Sequence, residues 1–468
     1  MNVNSGSALE KLGAVVLAAG KGTRMYSQKP KVLHELLQVP MLSYVHNALR
    51  PIVEDKMWSV IGYGAEQVLE SFPGNEESFI YQQEQLGTGH ALQTAVPVLE
   101  RHEIKWCLVV NGDTPLINSQ DLHRFVQQAI EANSALAFMT LQLSEPGAYG
   151  RVIRSESGEP VAIIEAKDFR EEIHGQDRGE VNSGIYLFNL PEVLPFLRDL
   201  SCDNKQGEYY ITQLIDLGVQ NNLKIFAQPC GNDSAYLGVN NPEELVCSEE
   251  LLRSRIVRNW LHKGVIIRSF DSVRIGPEVR LDPGVEIVGP VEIYGQSRIF
   301  EGAKVGSHCY VEDCEIGPDT IIHSYSHLQG AKIGDGCQVG PFARLRPGSE
   351  LAQRSRIGNF VEVKNSSLGQ SSKANHLAYL GDTVVGENCN IGAGTITCNY
   401  DGKHKHQTLL GDGVFVGSNT SLVAPLKIGD KALIGAGSTI TKDVPEKTLS
   451  VARERQKNFP RHFGGSKE

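Results

Sequence analysis

Two groups of residues near the start of the chain have types and spacing that could do chemistry. Gly20-Lys21-Gly22-Thr23-Arg24 closes an apolar run over residues 14–19, so bare glycine backbone and two cations meet at one turn. Such a turn can gather N–H groups and positive charge around a phosphate, or it can serve as an ordinary strand-to-helix connector. A Walker loop is excluded because the Gly-x4-Gly-Lys-Ser/Thr spacing is absent, and a dinucleotide fingerprint is excluded because Met25 stands where its third glycine belongs. The second group is Asn111-Gly112-Asp113, directly after the apolar run Trp106 to Val110. A carboxylate at the end of a parallel strand can hold Mg²⁺, which keeps most of its waters and bridges substrate phosphates. The same triplet also makes an ordinary turn or helix cap.

The elements that position these groups follow from the apolar pattern. Up to about Asn240, apolar runs at residues 59–62, 106–110, 135–141 and 185–188 alternate with amphipathic stretches. That alternation predicts an α/β domain with a largely parallel sheet, whose ligands bind beyond the carboxyl ends of its strands. A helix is expected next, with Asn241 as cap, Pro242 in its first turn, Glu244 completing a capping-box-like pattern and Gly264 as its stop. Leu245, Leu252, Ile256 and Trp260 fall along one face of it and should pack.

From Ile275 the period becomes six: IGPEVR, LDPGVE, IVGPVE, IYGQSR, IFEGAK, VGSHCY and onward. An aliphatic residue opens each unit and a small or β-branched one follows four positions later, the signature of a hexapeptide β-helix whose coils are stable only when stacked. Cys309, Cys337 and Cys389 take that small position, so they read as packed core thiols. TCNYDGKHKHQT interrupts the repeat between Ile396 and Leu410; an insertion in a solenoid loops out on one face, which makes Asn399, Tyr400 and Lys405 functional candidates.

At 468 residues the chain has room for two or three domains. Forty percent hydrophobic residues and a mean hydropathy of -0.22 describe a globular protein. A formal net charge of -10 argues against nucleic-acid or anionic-membrane partners, so a phosphate site must be a local cationic pocket. No segment approaches a membrane span and the early apolar run is too short for a signal peptide, so a cytoplasmic location is expected. Nine cysteines without a Cys-x-x-Cys pair suit reduced thiols rather than a disulfide framework or zinc knuckle.

Gly-Lys-Gly-Thr-Arg, KPKVLH, EQLGTGHA, GDTPL, YGR, QGEYYIT and GVNN occur in that order and are followed by the hexapeptides. With them the chain, from about Ala14 to about Arg453, resembles the bacterial bifunctional N-acetylglucosamine-1-phosphate uridylyltransferases and glucosamine-1-phosphate N-acetyltransferases. The resemblance implies a Rossmann-like nucleotidyltransferase domain over residues 1–240, a linker helix over 241–264, and a left-handed parallel β-helix with a short basic tail over 265–468. It implies acetylation of glucosamine-1-phosphate by acetyl-CoA, then transfer of UMP from UTP to N-acetylglucosamine-1-phosphate, giving a precursor for peptidoglycan and lipopolysaccharide.

Carried over residue by residue, the resemblance places Arg24 and Lys31 on the UTP phosphates. Leu17, Ala19 and Gly20 line the nucleotide pocket, and Gln82, Gly87 and Thr88 meet the uracil. Asp113 and Asn240 hold Mg²⁺, and Gly150, Glu165 and Asn182 hold the amino sugar. His376 becomes the base that takes the amine proton, with Arg346, Lys364, Tyr379 and Asn390 around glucosamine-1-phosphate. Ala393, Asn399, Tyr400, Lys405, Ser418, Ala436 and Arg453 contact acetyl-CoA, in a groove between the copies of a homotrimer. One departure is Asn111, where the family commonly has tyrosine. Two other readings remain at this level: a single nucleotidyltransferase whose β-helix only assembles it, and a noncatalytic scaffold that would leave Arg24, Lys31, Asp113 and Asn240 unexplained.

Overall fold

The computed structural model describes residues 11–231 and 234–460. The ends of the expected first domain and of the basic tail, residues 1–10 and 461–468, lie outside the described residues. The chain divides into two units, Met1–Leu252 and Arg253–Glu468.

In the first unit a nine-stranded sheet runs in the order Ile225–Pro229, Leu136–Gln142, Glu180–Asn189, Trp106–Asn111, Leu12–Ala18, Met57–Ile61, Phe79–Tyr81, with the hairpin Arg151–Arg154 and Pro160–Ile164 attached to Glu180–Asn189. Strand Leu12–Ala18 is central and parallel to both neighbours, so its carboxyl end delivers the glycine turn beside that of Trp106–Asn111. The sheet is less parallel than the apolar alternation suggests. Glu180–Asn189 runs antiparallel to Trp106–Asn111 and to Leu136–Gln142, with a register shift between Asn182 and Tyr186. Helices such as Met41–Val53, Thr88–Arg101 and Ser119–Glu131 bury Leu42, Leu49, Leu92, Leu99, Leu122 and Phe125 against its two faces. Each such side chain contributes about 1.5–3 kcal/mol.

The helix Pro242–His262 crosses the division between the units. Its start is a capping box: Asn241 Oδ1 accepts from Glu244 N–H at 2.9 Å, and Glu244 reaches back to the N–H of Asn240 at 2.6 Å. Gly264 ends it at φ +89°, a conformation that favours glycine. Leu252 is buried, while Leu245, Ile256 and Trp260 are half-buried. Val257 and Arg253 are buried as well, and the Arg253 guanidinium donates to the carbonyls of Phe270 and Val273.

The second unit is a parallel β-helix: among the described residues, three parallel sheets of eleven, ten and nine strands wrap one core. The hexapeptide arithmetic is realised directly. Ile275 and Val279, Leu281 and Val285, Ile287 and Val291 all point inward, as do Cys309, Cys337 and Cys389. Burial pushes the Cys309 thiol up to about 11, which keeps it protonated and inert. Side-chain bonds between neighbouring coils span 17 or 18 residues in most places and 25 where the insertion intervenes. The insertion folds back on itself through a bridge between Tyr400 and Lys405.

One corner of the solenoid carries a column of left-handed residues, one per coil: His308, Tyr325, Phe342, Phe360, Leu377, Gly394, Asn419 and Gly437. The rings of the first four stack with centroids 4.6, 4.9 and 5.2 Å apart. From Gly394 onward the column holds two glycines and Asn419, whose side chain lies over Gly394, so the aromatic ladder does not continue.

Candidate active sites

Thirteen residues of the first unit were expected at a nucleotide and sugar site, and all of them line two cavities. A cavity of about 550 Å³ is bounded by Leu17, Ala19, Gly20, Arg24, Lys31, Gln82, Gly87, Thr88, Asp113 and Asn240. A smaller one of about 200 Å³ shares Leu17, Arg24, Thr88, Asp113 and Asn240 with it and adds Gly150, Glu165 and Asn182.

The local folding has identifiable causes. Gly22 sits at φ +63°, and a Cβ there would fall 2.7 Å from Cβ of Lys31, so glycine lets the turn close against that lysine. Lys31 Nζ is ion-paired with Asp113 Oδ2 and donates to Asn240 Oδ1 at 2.8 Å, while the Arg24 guanidinium donates to the same Oδ1 at 3.0 Å. Asn240 is itself fixed, since its amide donates to the carbonyl of Gly238 and its N–H to Glu244. Two cations, a carboxylate and an amide oxygen from three distant stretches of the chain therefore meet at one point.

A divalent cation fits this donor set. Asp113 Oδ1 is buried and has no hydrogen-bond partner, Gly238 leaves room above it where a Cβ would come within 3.1 Å, and Asn240 contributes a second oxygen. A carboxylate plus one amide oxygen suits a hard ion that retains waters and binds phosphate oxygens.

Gln82 is buried, and its amide N–H groups are directed at the Gly87 carbonyl and His90 Nδ1. Glu165 accepts from the Thr212 hydroxyl at 3.0 Å. Burial raises its carboxyl above the usual range, the Thr212 bond opposes that, and Asp168 and Glu208 add to the rise. Asn182 donates to the Tyr186 hydroxyl at 2.5 Å and accepts from Gly184 N–H at 3.0 Å, so its amide is held rigidly. Asn111 lines both cavities, and its amide lies where a Cβ on Gly184 would stand, 2.1 Å away.

Lys21, one of the two cations of the glycine turn, lines the larger cavity, and four wall residues had not been singled out: Gln85, Tyr149, Glu208 and Ile211. Gln85 belongs to EQLGTGHA, Tyr149 to YGR, and Glu208 and Ile211 to QGEYYIT, so the motifs themselves pointed at them.

In the second unit the expected residues form two sets. The first is cationic. Lys364 and Lys405 crowd each other, and the Lys405 ammonium holds the Lys364 amine below its ordinary range. Arg346 pairs with Glu362 at 3.0 Å, and the Tyr379 hydroxyl lies over Gly381, where a Cβ would come within 2.5 Å of it. Asp382 stays ionised despite partial burial because Asn365 and Asn399 donate to it and Lys405 and Lys364 lie near. Lys405, expected at acetyl-CoA, thus lies beside Lys364, a residue expected at the sugar phosphate. Asn399 is buried with its amide committed to Asp382, which anchors the base of the insertion. Tyr400 is exposed, its hydroxyl donated to the Gly402 carbonyl.

The second set runs along the corner column. His376 precedes Leu377, Ala393 precedes Gly394, Ser418 precedes Asn419 and Ala436 precedes Gly437. Backbone bonds from Gly394 to Leu377, Asn419 to Ala393 and Gly437 to Ser418 stack them coil on coil, and Arg453 Cδ lies 4.0 Å from a Cβ built on Gly437. They flank the end of the column beyond the aromatic ladder. Asn390 is half-buried on the strand Asn390–Ile391, paired with Lys373 and Phe415.

Together these features define a two-site transferase, with a nucleotide-binding α/β unit and a hexapeptide β-helix unit in one chain. Residues 14–180 match the MobA-like NTP transferase domain, 330–365 the bacterial transferase hexapeptide, and 407–442 the hexapeptide repeat of succinyl-transferase. The chain is 51% identical to the bifunctional protein GlmU of Nitratidesulfovibrio vulgaris strain DP4 over 96% of its own length and 98% of that relative. It is 49% identical to the bifunctional protein GlmU of Oleidesulfovibrio alaskensis and 47% to that of Lawsonia intracellularis, covering 97% of each. The chain belongs to the bifunctional GlmU family, and it is an enzyme with nucleotidyltransferase and acetyltransferase functions. Among the described residues no helix is long and apolar enough to cross a membrane.

Proposed function

We propose that the β-helix unit acetylates glucosamine-1-phosphate with acetyl-CoA and that the α/β unit then transfers UMP from UTP to the N-acetylglucosamine-1-phosphate formed. UDP-N-acetylglucosamine, pyrophosphate and free CoA are the products.

For acetyl transfer, Arg346, Lys364 and Lys405 face the sugar phosphate, where three cations suit a dianion. The amine nitrogen attacks the thioester carbonyl and gives its proton to His376. The tetrahedral oxyanion collapses, the C–S bond breaks, and the CoA thiolate takes up the proton from the imidazolium. Acetyl-CoA runs along Ala393, Ser418, Ala436 and Arg453, in a groove closed by a neighbouring copy of a homotrimer. The exposed edges of Tyr325, Phe342 and Phe360 on the same corner support assembly, because a monomer seldom leaves such a stripe uncovered.

For uridylyl transfer, a phosphate oxygen of N-acetylglucosamine-1-phosphate attacks the α-phosphorus of UTP. The bond from that phosphorus to the bridging oxygen breaks and pyrophosphate leaves with its electron pair. Arg24 and Lys31 meet the charge on the phosphates, Gln82, Gly87 and Thr88 hold the uracil, and Gly150, Glu165 and Asn182 orient the sugar. Asp113 and Asn240 would hold Mg²⁺, which when bound supplies Lewis-acid charge to the phosphates.

The alignment of His376 with the stacked corner residues Ala393, Ser418 and Ala436 carries the two-site reading over one in which the β-helix only assembles the protein. Thiol release from acetyl-CoA and glucosamine-1-phosphate, with UTP omitted, tests it. Release that requires the sugar phosphate supports an acetyltransferase; none from the folded protein would leave a nucleotidyltransferase on a structural solenoid.

A further inference from the structure

His376 Nδ1 lies 2.6 Å from Asn359 Oδ1, one coil below. We propose that Asn359 is the positioning residue of the acetyl-transfer base: its side-chain oxygen accepts from the Nδ1–H of His376 and thereby turns an unprotonated Nε2 toward the amine. This rests on the reading of His376 as the base.

The contact is built into the solenoid. Asn359 and His376 are register partners on the strands Arg356–Asn359 and Lys373–His376. Each is followed by a left-handed corner residue, Phe360 and Leu377, so the chain turns at the same place in both coils and the two side chains superpose. The Leu377 N–H donates to the Asn359 carbonyl at 3.1 Å, which fixes the backbone on both sides of the pair. Gly358 permits the close approach, since a Cβ there would lie 1.9 Å from the Asn375 carbonyl oxygen.

Chemistry assigns the direction of the bond. A base must offer a bare nitrogen, so the ring proton must sit on the other one and needs an acceptor. Glu362, the carboxylate one strand further on, is taken by Arg346 at 3.0 Å. Among the described residues, Asn359 Oδ1 is the side-chain acceptor within hydrogen-bonding distance of the ring. A neutral amide oxygen sets the tautomer without the pull toward imidazolium that a carboxylate would exert.

The test compares Asn359→Leu, Asn359→Asp and His376→Ala in the full-length protein. Asn359→Leu removes the acceptor at similar volume, so kcat for acetyl transfer should fall by about 10- to 100-fold, less than the 10²–10⁴ a general base supplies. Both KM values should stay within about twofold, because binding groups are untouched. In ¹⁵N-histidine spectra the His376 signals should move from a single Nδ1–H tautomer to a mixture, while the other histidines keep their shifts and report an intact fold. Asn359→Asp, assayed at alkaline pH, should restore most of the rate and the single tautomer. An inactive His376→Ala beside a fully active Asn359→Leu, or a wild-type ring protonated on Nε2, would overturn the proposal while leaving His376 as the base. An active His376→Ala would overturn the reading of the base and the positioning role with it.

Discussion

The ammonium of Lys31 and the carboxylate of Asp113 form an ion pair, and the same ammonium donates to Asn240 Oδ1 at 2.8 Å. Lys31 therefore neutralises the two oxygen donors best suited to a divalent cation. Its charge should have two separable effects. Lys31→Met should slow uridylyl transfer on the order of 100-fold, as for other preorganised charges aimed at a transition state. It should also tighten Mn²⁺ binding without nucleotide, by about tenfold for ~1.4 kcal/mol of relieved competition. Mn²⁺ titration followed by electron paramagnetic resonance reads the second effect independently of turnover. Unchanged Mn²⁺ affinity would show that lysine and cation do not share Asp113.

Asp113→Ala removes that carboxylate altogether. Pyrophosphate release should drop by at least about 10³-fold, the loss of several kcal/mol of charge stabilisation. Thiol release from acetyl-CoA should stay within about twofold, because Asp113 belongs to the first unit. Loss of both activities would contradict two independent sites.

Glu165 is a carboxyl raised by burial and restrained by the Thr212 hydroxyl. Only the ionised form can accept sugar hydroxyls at both oxygens, so kcat/KM for N-acetylglucosamine-1-phosphate should fall on acidification. Thr212→Val removes the bond that favours the charged form, so the acid limb should move to higher pH. The pH profile of kcat/KM measures it, and a limb that stays in place would assign the titration to another group.

Much of this site could be read from the sequence, for reasons that differ by residue. A period of six fixes which side chains face inward, so Ile275, Val279 and Cys309 were legible without coordinates. The places of the glycine turn and Asp113 at strand ends were legible because both follow apolar runs of strand type, while their chemistry stayed open to an ordinary turn until the order of motifs was read. The direction of Glu180–Asn189 was not, since the strand is buried on both faces and such a continuous apolar run reads the same in either direction. Arg253 was missed because an arginine in a helix reads as a solvent-facing residue; its burial depends on the carbonyls of Phe270 and Val273, well along the chain. The approach of Lys405 to Lys364 depends on how the insertion folds back, which no repeat encodes.

His46 gives a stability test away from both sites. Its half-buried ring packs against Phe72 and Phe79, bonds the buried Ser59 hydroxyl at 2.8 Å, and has its pKa pushed down to about 4 by loss of solvent and by the Arg50 charge. The folded protein thus disfavours the imidazolium relative to the unfolded chain. The associated stability is complete above about pH 6.5 and declines as pH falls toward 4, by up to on the order of 3 kcal/mol. His46→Gln can keep a bond to Ser59 without titrating, so its urea midpoint should fall less than the wild type's between pH 7 and 5. Tryptophan fluorescence follows this unit through Trp58 and Trp106; equal losses in both proteins would exclude His46 as the source.

The crowding of Lys364 by Lys405 leads to a prediction about phosphate recognition. Two ammonium groups beside Arg346 repel one another until an anion lies among them, so an added negative charge relieves repulsion as well as making new bonds. Lys405→Met should let the Lys364 amine return toward its ordinary range while removing one charge from the phosphate. The KM for glucosamine-1-phosphate should rise about tenfold, the loss expected for one charge-assisted contact. Because exposed charges are screened by salt, raising ionic strength should increase the wild-type KM more steeply than the variant's. If Lys405 served acetyl-CoA alone, the KM for acetyl-CoA would rise and that for the sugar phosphate would not, so measuring both constants across a salt series decides between the two placements.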